Sequence, residues 1–544
     1  MSEARARRAA LVGRLTTDPF DALVIGGGIT GCGTARDLAL RGLRVALVER
    51  DDWASGTSSR SSRLVHGGVR YLEHGHVGLV FESSRERRTL LRIAPHLVRP
   101  LPFTWPVYRG ARVPRWKLEA GLALYDALAL FRNVRNHRPL SARGVLAAEP
   151  AVESRGLRGG ARYYDAATDD ARLTLANAMA ALELGAAAAN HVRVDALLHD
   201  AAGRAAGVAC TDMLTGETLE VRARVVVAAG GPWGDRLRRL SEDDAPAGVL
   251  GSKGVHIAVP RARVGNRDAL TLLSPSDGRV TFALPAGPHA IIGTTETADA
   301  RDPDEVRATE ADVAYLLADA NAFFPGACLT RADVVAAWAG VRPLVARTPG
   351  EDAGSASREH RIATDARGVV HVSGGKLTTY RAMAAEIADA VERALGRTRS
   401  ESTTATAVLP GGDVADLATE TAAAAETTGR AEVAARLVRA HGSRWRRVWS
   451  YAEADAGLAA PLVHGLPYTL AELAYAIDAE GALSLGDLLI RRTPVAFETP
   501  DAGRGAARVA ADALGARLGW DAAERQAAVA AYDAESHRMF DVDP

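Results

Sequence analysis

The chain has 544 residues, 47% hydrophobic and 24% charged, with 66 Lys+Arg against 66 Asp+Glu. That length accommodates two or three domains around a large core, and the zero net charge excludes a general nucleic-acid binder. The charge is uneven: residues 1–150 carry 24 Lys+Arg against 13 Asp+Glu, a basic stretch suited to an anionic substrate or surface. Cys32, Cys210 and Cys328 lie far apart without metal-like spacing, the pattern of reduced thiols in the cytoplasm, and no metal is expected. No apolar run reaches the roughly 18 residues of a membrane span. The only lysines are Lys117, Lys253 and Lys376. In a background so rich in arginine, a retained lysine suggests a position that needs a flexible ammonium.

Residues 1–20 read as a flexible basic leader, with Arg5, Arg7, Arg8 and Arg14 and no apolar core of a secretory signal. The organising stretch follows. Residues 22–25 form a short apolar run with β-branched members, a buried strand. Gly26, Gly28 and Gly31 come next in the spacing G-x-G-x-x-G; a helical pattern through Ala35, Leu38 and Ala39 leads to a second strand at 45–48, ending in Glu49. The first glycine permits the tight turn, the second lets the backbone approach a pyrophosphate, and the third lets helix and strand pack closely. Ile29 and Thr30 open the helix, whose free N–H groups face phosphates. Glu49, about 20 residues on, accepts ribose hydroxyls, with Arg50 beside it. Strand, glycines, helix, strand and acid in that order predict a dinucleotide site.

Residues 53–63 read WASGTSSRSSR. Hydroxyls and free N–H groups at Thr57, Ser58, Ser59, Ser61 and Ser62, running on to Leu64, can return over a cofactor's phosphates and ring; a surface loop has the same composition. In LVHGGVRYLEHGH, residues 64–76, glycine turns can aim His66, Arg70 and Tyr71 at a ligand.

The stretch GTSSRSSRLVHGGVRYLEHG strongly resembles the flavin-dependent glycerol-3-phosphate dehydrogenases of the aerobic, membrane-associated type, a branch of the D-amino acid oxidase-like flavoproteins. The resemblance continues through YYDAATDDARLTLANA, SKGVHIAVP, IIGTTET, WAGVRPL and VSGGKLTTYRAMA, and covers nearly the whole chain past residue 20. It implies an α/β fold: a Rossmann-like FAD-binding domain over 21–400, interleaved with a mixed-sheet substrate (cap) domain at roughly 75–165 and 250–345. A linker at 401–413 and a C-terminal all-α domain over 414–544 complete it.

Residues 111–132 carry Trp116, Leu118, Leu122, Leu124, Tyr125, Leu128 and Phe131 as a broad helical stripe flanked by arginines. Such a helix either lies on anionic lipid or is buried against its own domain; the resemblance favours the membrane, because these enzymes pass electrons to membrane quinone. Asp165, Asp169 and Asp170, ahead of a helix over 168–184, read either as paired metal ligands or as helix N-caps, and capping is the expectation. Val192 and Val194 meet the adenine side, and RVVVAAGGPWG brings Ala229 and Gly230 to the dinucleotide. Lys253 and His256, three apart on a strand, face opposite sides, so at most one addresses a ligand. Arg342 sits in a Gly-Val-Arg-Pro turn and Arg358 in SREH. Gly374, Gly375 and Lys376 open a helix with Leu377 and Thr378, again offering N–H groups to the cofactor. In the C-terminal part no catalytic constellation is visible, and a packing or homodimer role is expected.

The reading implied is FAD-dependent oxidation of sn-glycerol 3-phosphate to dihydroxyacetone phosphate by hydride transfer to the flavin. Electrons then pass to a membrane quinone at the inner face of the cytoplasmic membrane. Arg70, Arg342, Arg358 and Tyr71 contact phosphate and hydroxyls, Lys376 orients substrate and flavin, and His66 or His256 accepts the proton. The alternatives are an oxidase of the same substrate using O2, another flavin enzyme of the superfamily, a nicotinamide-binding dehydrogenase or an inert flavin scaffold.

Overall fold

The computed structural model describes residues 2–242, 248–299, 301–345 and 359–544, the side chains of Arg70 and His74 excepted. Two large sheets dominate. The first has eight strands; its central order runs Arg361–Thr364, Val370–Ser373, Thr218–Ala228, Phe20–Ile25, Val45–Val48, Ala187–Ala189. Phe20–Ile25 is parallel to both neighbours, with Val24 opposite Leu47 on one side and Val227 on the other. A sheet covered on both faces needs apolar residues on both sides of each strand. Ala22 and Val24 enter the cluster with Leu38, Leu175 and Ile387 from the helices Ile29–Leu40, Asp170–Glu183 and Tyr380–Ala394. Leu23 and Ile25 point to the other face and meet Leu15.

Leu15 belongs to a helix, Glu3–Thr17, so the expected flexible leader is instead a docked element. Its arginines find carbonyls and acids on the body. Arg8 pairs with Asp212 at 2.6 Å and Arg14 donates to the Gly185 carbonyl at 2.8 Å. The basic composition was correct, but it serves docking.

The second sheet has ten strands drawn from residues 64–168 and 249–345. It is mixed: Ala269–Leu273 runs parallel to Val98–Tyr108, while most other pairs are antiparallel. Ala336–Val345 pairs along most of Val249–Pro260, placing Arg342 opposite Ser252 and Trp338 opposite His256. Arg342 therefore lies in a strand, not in the expected turn; β pairing on its side overrides the local Gly and Pro signals.

Residues 401–413 pack on the first module, with the Ala407 carbonyl accepting from Arg36 and the Leu409 amide donating to the Ile93 carbonyl. The C-terminal part is helical, from Leu417–Thr428 to Ala522–Phe540, with a π-helical turn at Asp487–Arg492. It is joined to the first module by buried ions. Arg491 and Arg492 both donate to Asp52, Arg491 at 2.8 Å, and Arg172 pairs with Glu480 at 2.7 Å. Asp52, His191 and Asp487 lie close enough to share an ion. Arg491 and Arg492 already neutralise both carboxylates there. Breaking one partner of a buried pair leaves an uncompensated charge. Asp52→Asn is therefore expected to cost about 3 kcal/mol, seen as a lower urea midpoint; an unchanged midpoint would show that the network adds nothing.

Candidate active site

A cavity of about 490 Å³ runs from the glycine turn of the first sheet to the face of the second. At one end, Gly26 has φ +109, and a Cβ there would lie 2.5 Å from the Ala229 carbonyl oxygen. A Cβ on Gly31 would sit 1.9 Å from the Gly26 carbonyl oxygen. Gly31 thus packs helix to strand and does not line the cavity, while Gly26, Gly28, Ile29 and Thr30 do. The Ile29 amide, first of the helix, donates to Ser58 Oγ at 3.0 Å. Glu49 is half-buried, with Oε2 accepting from the Gly27 amide at 2.6 Å and Oε1 from the Asp51 amide at 2.8 Å; desolvation raises its pKa. Arg50 lines the cavity, its guanidinium held by Asp51 and Asp304 and set 5.4 Å above the Trp233 ring. Val194 closes this end.

The middle is walled by Ala229, Gly230, Thr57, Ser58, Ser61, Ser62 and Leu64 on one side and by Gly374, Gly375, Lys376, Leu377 and Thr378 on the other. Ser59 is instead buried, its hydroxyl toward the Gly56 carbonyl at 3.4 Å. Backbone and hydroxyl groups converge from three segments distant in sequence, at a helix N-terminus, beside the Glu49 carboxylate. That donor set and its length fit a dinucleotide.

The other end gathers side chains. His66, Tyr71, His256, Arg342 and Lys376 all line the cavity. The His66 amide donates to Thr378 Oγ1 at 3.1 Å, which ties the glycine-rich turn to the Lys376 segment. Lys376 Nζ stands 3.8 Å over the Tyr71 ring, a cation–π contact. Arg342 donates to Thr294 Oγ1 at 2.9 Å, to the Thr295 and Lys253 carbonyls at 3.3 Å and to Ser252 Oγ at 3.5 Å, which fixes the guanidinium at the cavity wall. His256 shares a 2.8 Å hydrogen bond between Nε2 and Ser62 Oγ. Among the described residues its Nδ1 has no hydrogen-bond partner. Burial first, then the Arg342 and Arg63 cations, hold its pKa at about 3. Lys253 faces the opposite side, paired with Asp312 at 2.7 Å, as strand alternation requires. Arg358 and the Arg70 side chain lie outside the described residues.

A smaller cavity of about 140 Å³ adjoins this end, sharing Ser62, His66, Tyr71, Phe282 and Arg342 and adding Phe103, Trp105, Tyr163, Arg279 and Glu296. Sequence reading gave the five added residues no role in the site. It also misassigned Asp165 and Asp170, since only Asp169 caps the helix, accepting from the Arg172 amide. Asp170 receives the Ser61 amide and hydroxyl. Asp165 receives the Gly67 amide at 3.0 Å, Tyr125 Oη at 2.6 Å and the Arg87 guanidinium. Both carboxylates hold the loops that carry the site.

The family model described as FAD dependent oxidoreductase matches residues 21–390, and that of the C-terminal domain of alpha-glycerophosphate oxidase matches residues 402–525. "Glycerol-3-phosphate dehydrogenase 2" of Mycobacterium tuberculosis is 41% identical over 534 residues, covering 97% of this chain and 90% of that protein. This chain belongs to the FAD-dependent glycerol-3-phosphate dehydrogenase family. The mitochondrial glycerol-3-phosphate dehydrogenase of Bos taurus is 36% identical, covering 96% of this chain and 74% of that one. The crystal structure of the glycerol-3-phosphate dehydrogenase from Bacillus halodurans, complexed with FAD, superposes with a TM-score of 0.81 at 32% identity, covering 99% and 98% of the two chains. An L-alpha-glycerophosphate oxidase from Mycoplasma pneumoniae shares the fold, with a TM-score of 0.56, 19% identity, and 71% and 97% coverage. The cofactor of this family is FAD, and the cradle described above suits it.

Proposed function

We propose that the protein oxidises sn-glycerol 3-phosphate to dihydroxyacetone phosphate and delivers the electrons to a membrane quinone. The observation that carries this reading is the joining of a dinucleotide cradle to a pocket with two cations and two histidines, Arg342, Lys376, His66 and His256. FAD, held by the glycine turn, the serine loop and residues 374–378, supplies the hydride acceptor that converts a secondary alcohol to a ketone. The protein supplies position and charge. Arg342 and Lys376 take the phosphate, with Arg70 and Arg358 as further anchors. His256 takes the hydroxyl proton: its ring is neutral, one nitrogen is oriented by Ser62, and the other is uncommitted. A phosphate seated against Arg342 offsets part of the field that depresses its proton affinity. His66, stacked on Tyr71, shapes the pocket.

The quinone assignment draws support from the helix Arg115–Leu128. Its stripe divides: Leu118, Leu122 and Tyr125 face the core, while Trp116 is 72% exposed and Phe131, just beyond the helix, 65%. Arg112, Arg115, Lys117 and Arg132 are exposed along the same stretch, the first three paired with Glu73 or Glu119, a composition suited to an anionic lipid surface at the inner face of the cytoplasmic membrane. No described helix is long and apolar enough to cross a membrane. The test is anaerobic: glycerol 3-phosphate is expected to bleach the flavin of the purified protein, and a quinone analogue to restore it with little peroxide formed in air. Persistent colour would overturn the substrate, and stoichiometric peroxide would favour oxygen as the acceptor.

A further inference from the structure

The C-terminal helices reach the active site from behind. Trp338, opposite His256 in the paired strands, lies flat on the imidazole with ring centres 5.5 Å apart and planes 15° apart. Phe497, from the C-terminal part, meets the other side of that indole edge to face at 5.1 Å and 87°. Phe540, at the end of the last helix, backs Phe497 at 5.0 Å. Both Trp338 and Phe497 are buried. Arg63 completes the wall, its guanidinium 4.7 Å over Phe497 and 5.9 Å over Trp338. Arg63 adopts a left-handed backbone with φ 54, a conformation unfavourable for a residue with a side chain. Such strain persists only where the surroundings over-determine it. Here its neighbour Ser62 bonds His256, and its carbonyl accepts from the Thr168 amide at 2.9 Å.

We propose that Phe497 and Arg63 are positioning residues for His256, so that the C-terminal helical part forms the rear wall of the active site and keeps the proton acceptor dry. The inference rests on the assignment of His256 as that acceptor. Aromatic pairs of this kind contribute orientation beyond area burial, and water excluded from the ring keeps it neutral. The charged groups facing the imidazole are Arg342 from the paired strand and Arg63 from the loop. Asp170 lies 4.0 Å from Arg63, and the Glu498 carboxyl is also within its field. Neither Trp338 nor Ser62 carries charge. Opening the wall at Phe497 admits water, removes the burial that is the largest cause of the low proton affinity, and returns His256 toward an ordinary titration near pH 6.5.

The experiment uses the FAD-loaded full-length protein and the variants Phe497→Ala and Phe497→Leu. Anaerobic flavin reduction is followed from pH 5 to 8, beside a histidine NMR titration in which His256→Asn identifies the resonance. Wild type is expected to show a reduction rate flat on the acid side. Phe497→Ala should lose about tenfold between pH 8 and 5.5, as a base titrating near 6.5 would, and the His256 resonance should titrate in the same range. Phe497→Leu, which keeps the bulk, should restore most of the flat profile. A uniform drop at every pH with no new titration would show that Phe497 merely stabilises the fold and would overturn the proposal. If Phe497→Ala does not fold, Arg63→Gln carries the test: its His256 resonance should move into the titrating range while Phe497→Leu stays flat, and a resonance that does not move in Arg63→Gln would overturn the proposal. Wild-type reduction by His256→Asn would instead remove the acceptor assignment itself, and so separates the two failures.

Discussion

His256→Asn is expected to slow anaerobic flavin reduction by glycerol 3-phosphate about 10²–10⁴-fold, the range supplied by a positioned general base. Asn keeps a polar group near Ser62 but cannot accept and hold a proton. FAD binding should change little, because the glycine turn and residues 374–378 are left intact and the hydrogen bond of His256 goes to Ser62 Oγ. The pH profile adds a sign that can be checked. A histidine with a depressed pKa is neutral above that pKa, here about 3. The kcat/KM profile, which reports groups of the free enzyme, should therefore show no acid limb from His256 between pH 5 and 8. His66→Asn is the control, expected to cost less than tenfold if that ring acts through shape. Reduction of the His256→Asn flavin at the wild-type rate would sink the assignment.

Arg342→Ala should raise the half-saturating glycerol 3-phosphate concentration about 100-fold, the loss of roughly 3 kcal/mol that a hydrogen bond to a charged group is worth at its upper end. The guanidinium is held by Thr294 and the Lys253 carbonyl and lines both cavities, so it is preorganised and not recruited from solvent. Flavin affinity should change little. Equal losses of substrate and FAD binding, measured by stopped-flow reduction and flavin fluorescence, would show that Arg342 holds the strand Ala336–Val345 in place and does not bind phosphate. Arg342→Lys should recover only part of the loss, since an ammonium cannot reproduce the fork.

Local signals carried the cofactor end. The glycines at 26, 28 and 31 answer to a turn and two close approaches set by neighbours in sequence, so their spacing is informative by itself. His66 and Lys376 were legible as cavity-lining residues for the same reason, each in a glycine-rich segment. The rest depended on pairings that no local pattern encodes. Asp165 looked like a cap because it precedes a helix; the amide that it holds is 98 residues away in the chain. Arg342 looked like a turn residue because Gly and Pro flank it, yet Val249–Pro260 draws it into a sheet. The helix Glu3–Thr17 was hidden because its basic residues read as solvated, when their partners are carbonyls and an acid on the folded body. The wall behind His256 needs Phe497, which lies in a segment whose own composition shows only helix and packing.

The ions that join Asp52 to Arg491 also carry a message about biosynthesis. The two residues are 439 apart, and a ribosome adding about 5–20 residues per second leaves an interval of roughly 20–90 seconds between them. Throughout that interval the nascent nucleotide-binding half carries an acid meant for the interior with no guanidinium to meet it. Synthesis of Arg491 and Arg492, rather than emergence of the glycine motif, then sets when this acid meets its partners.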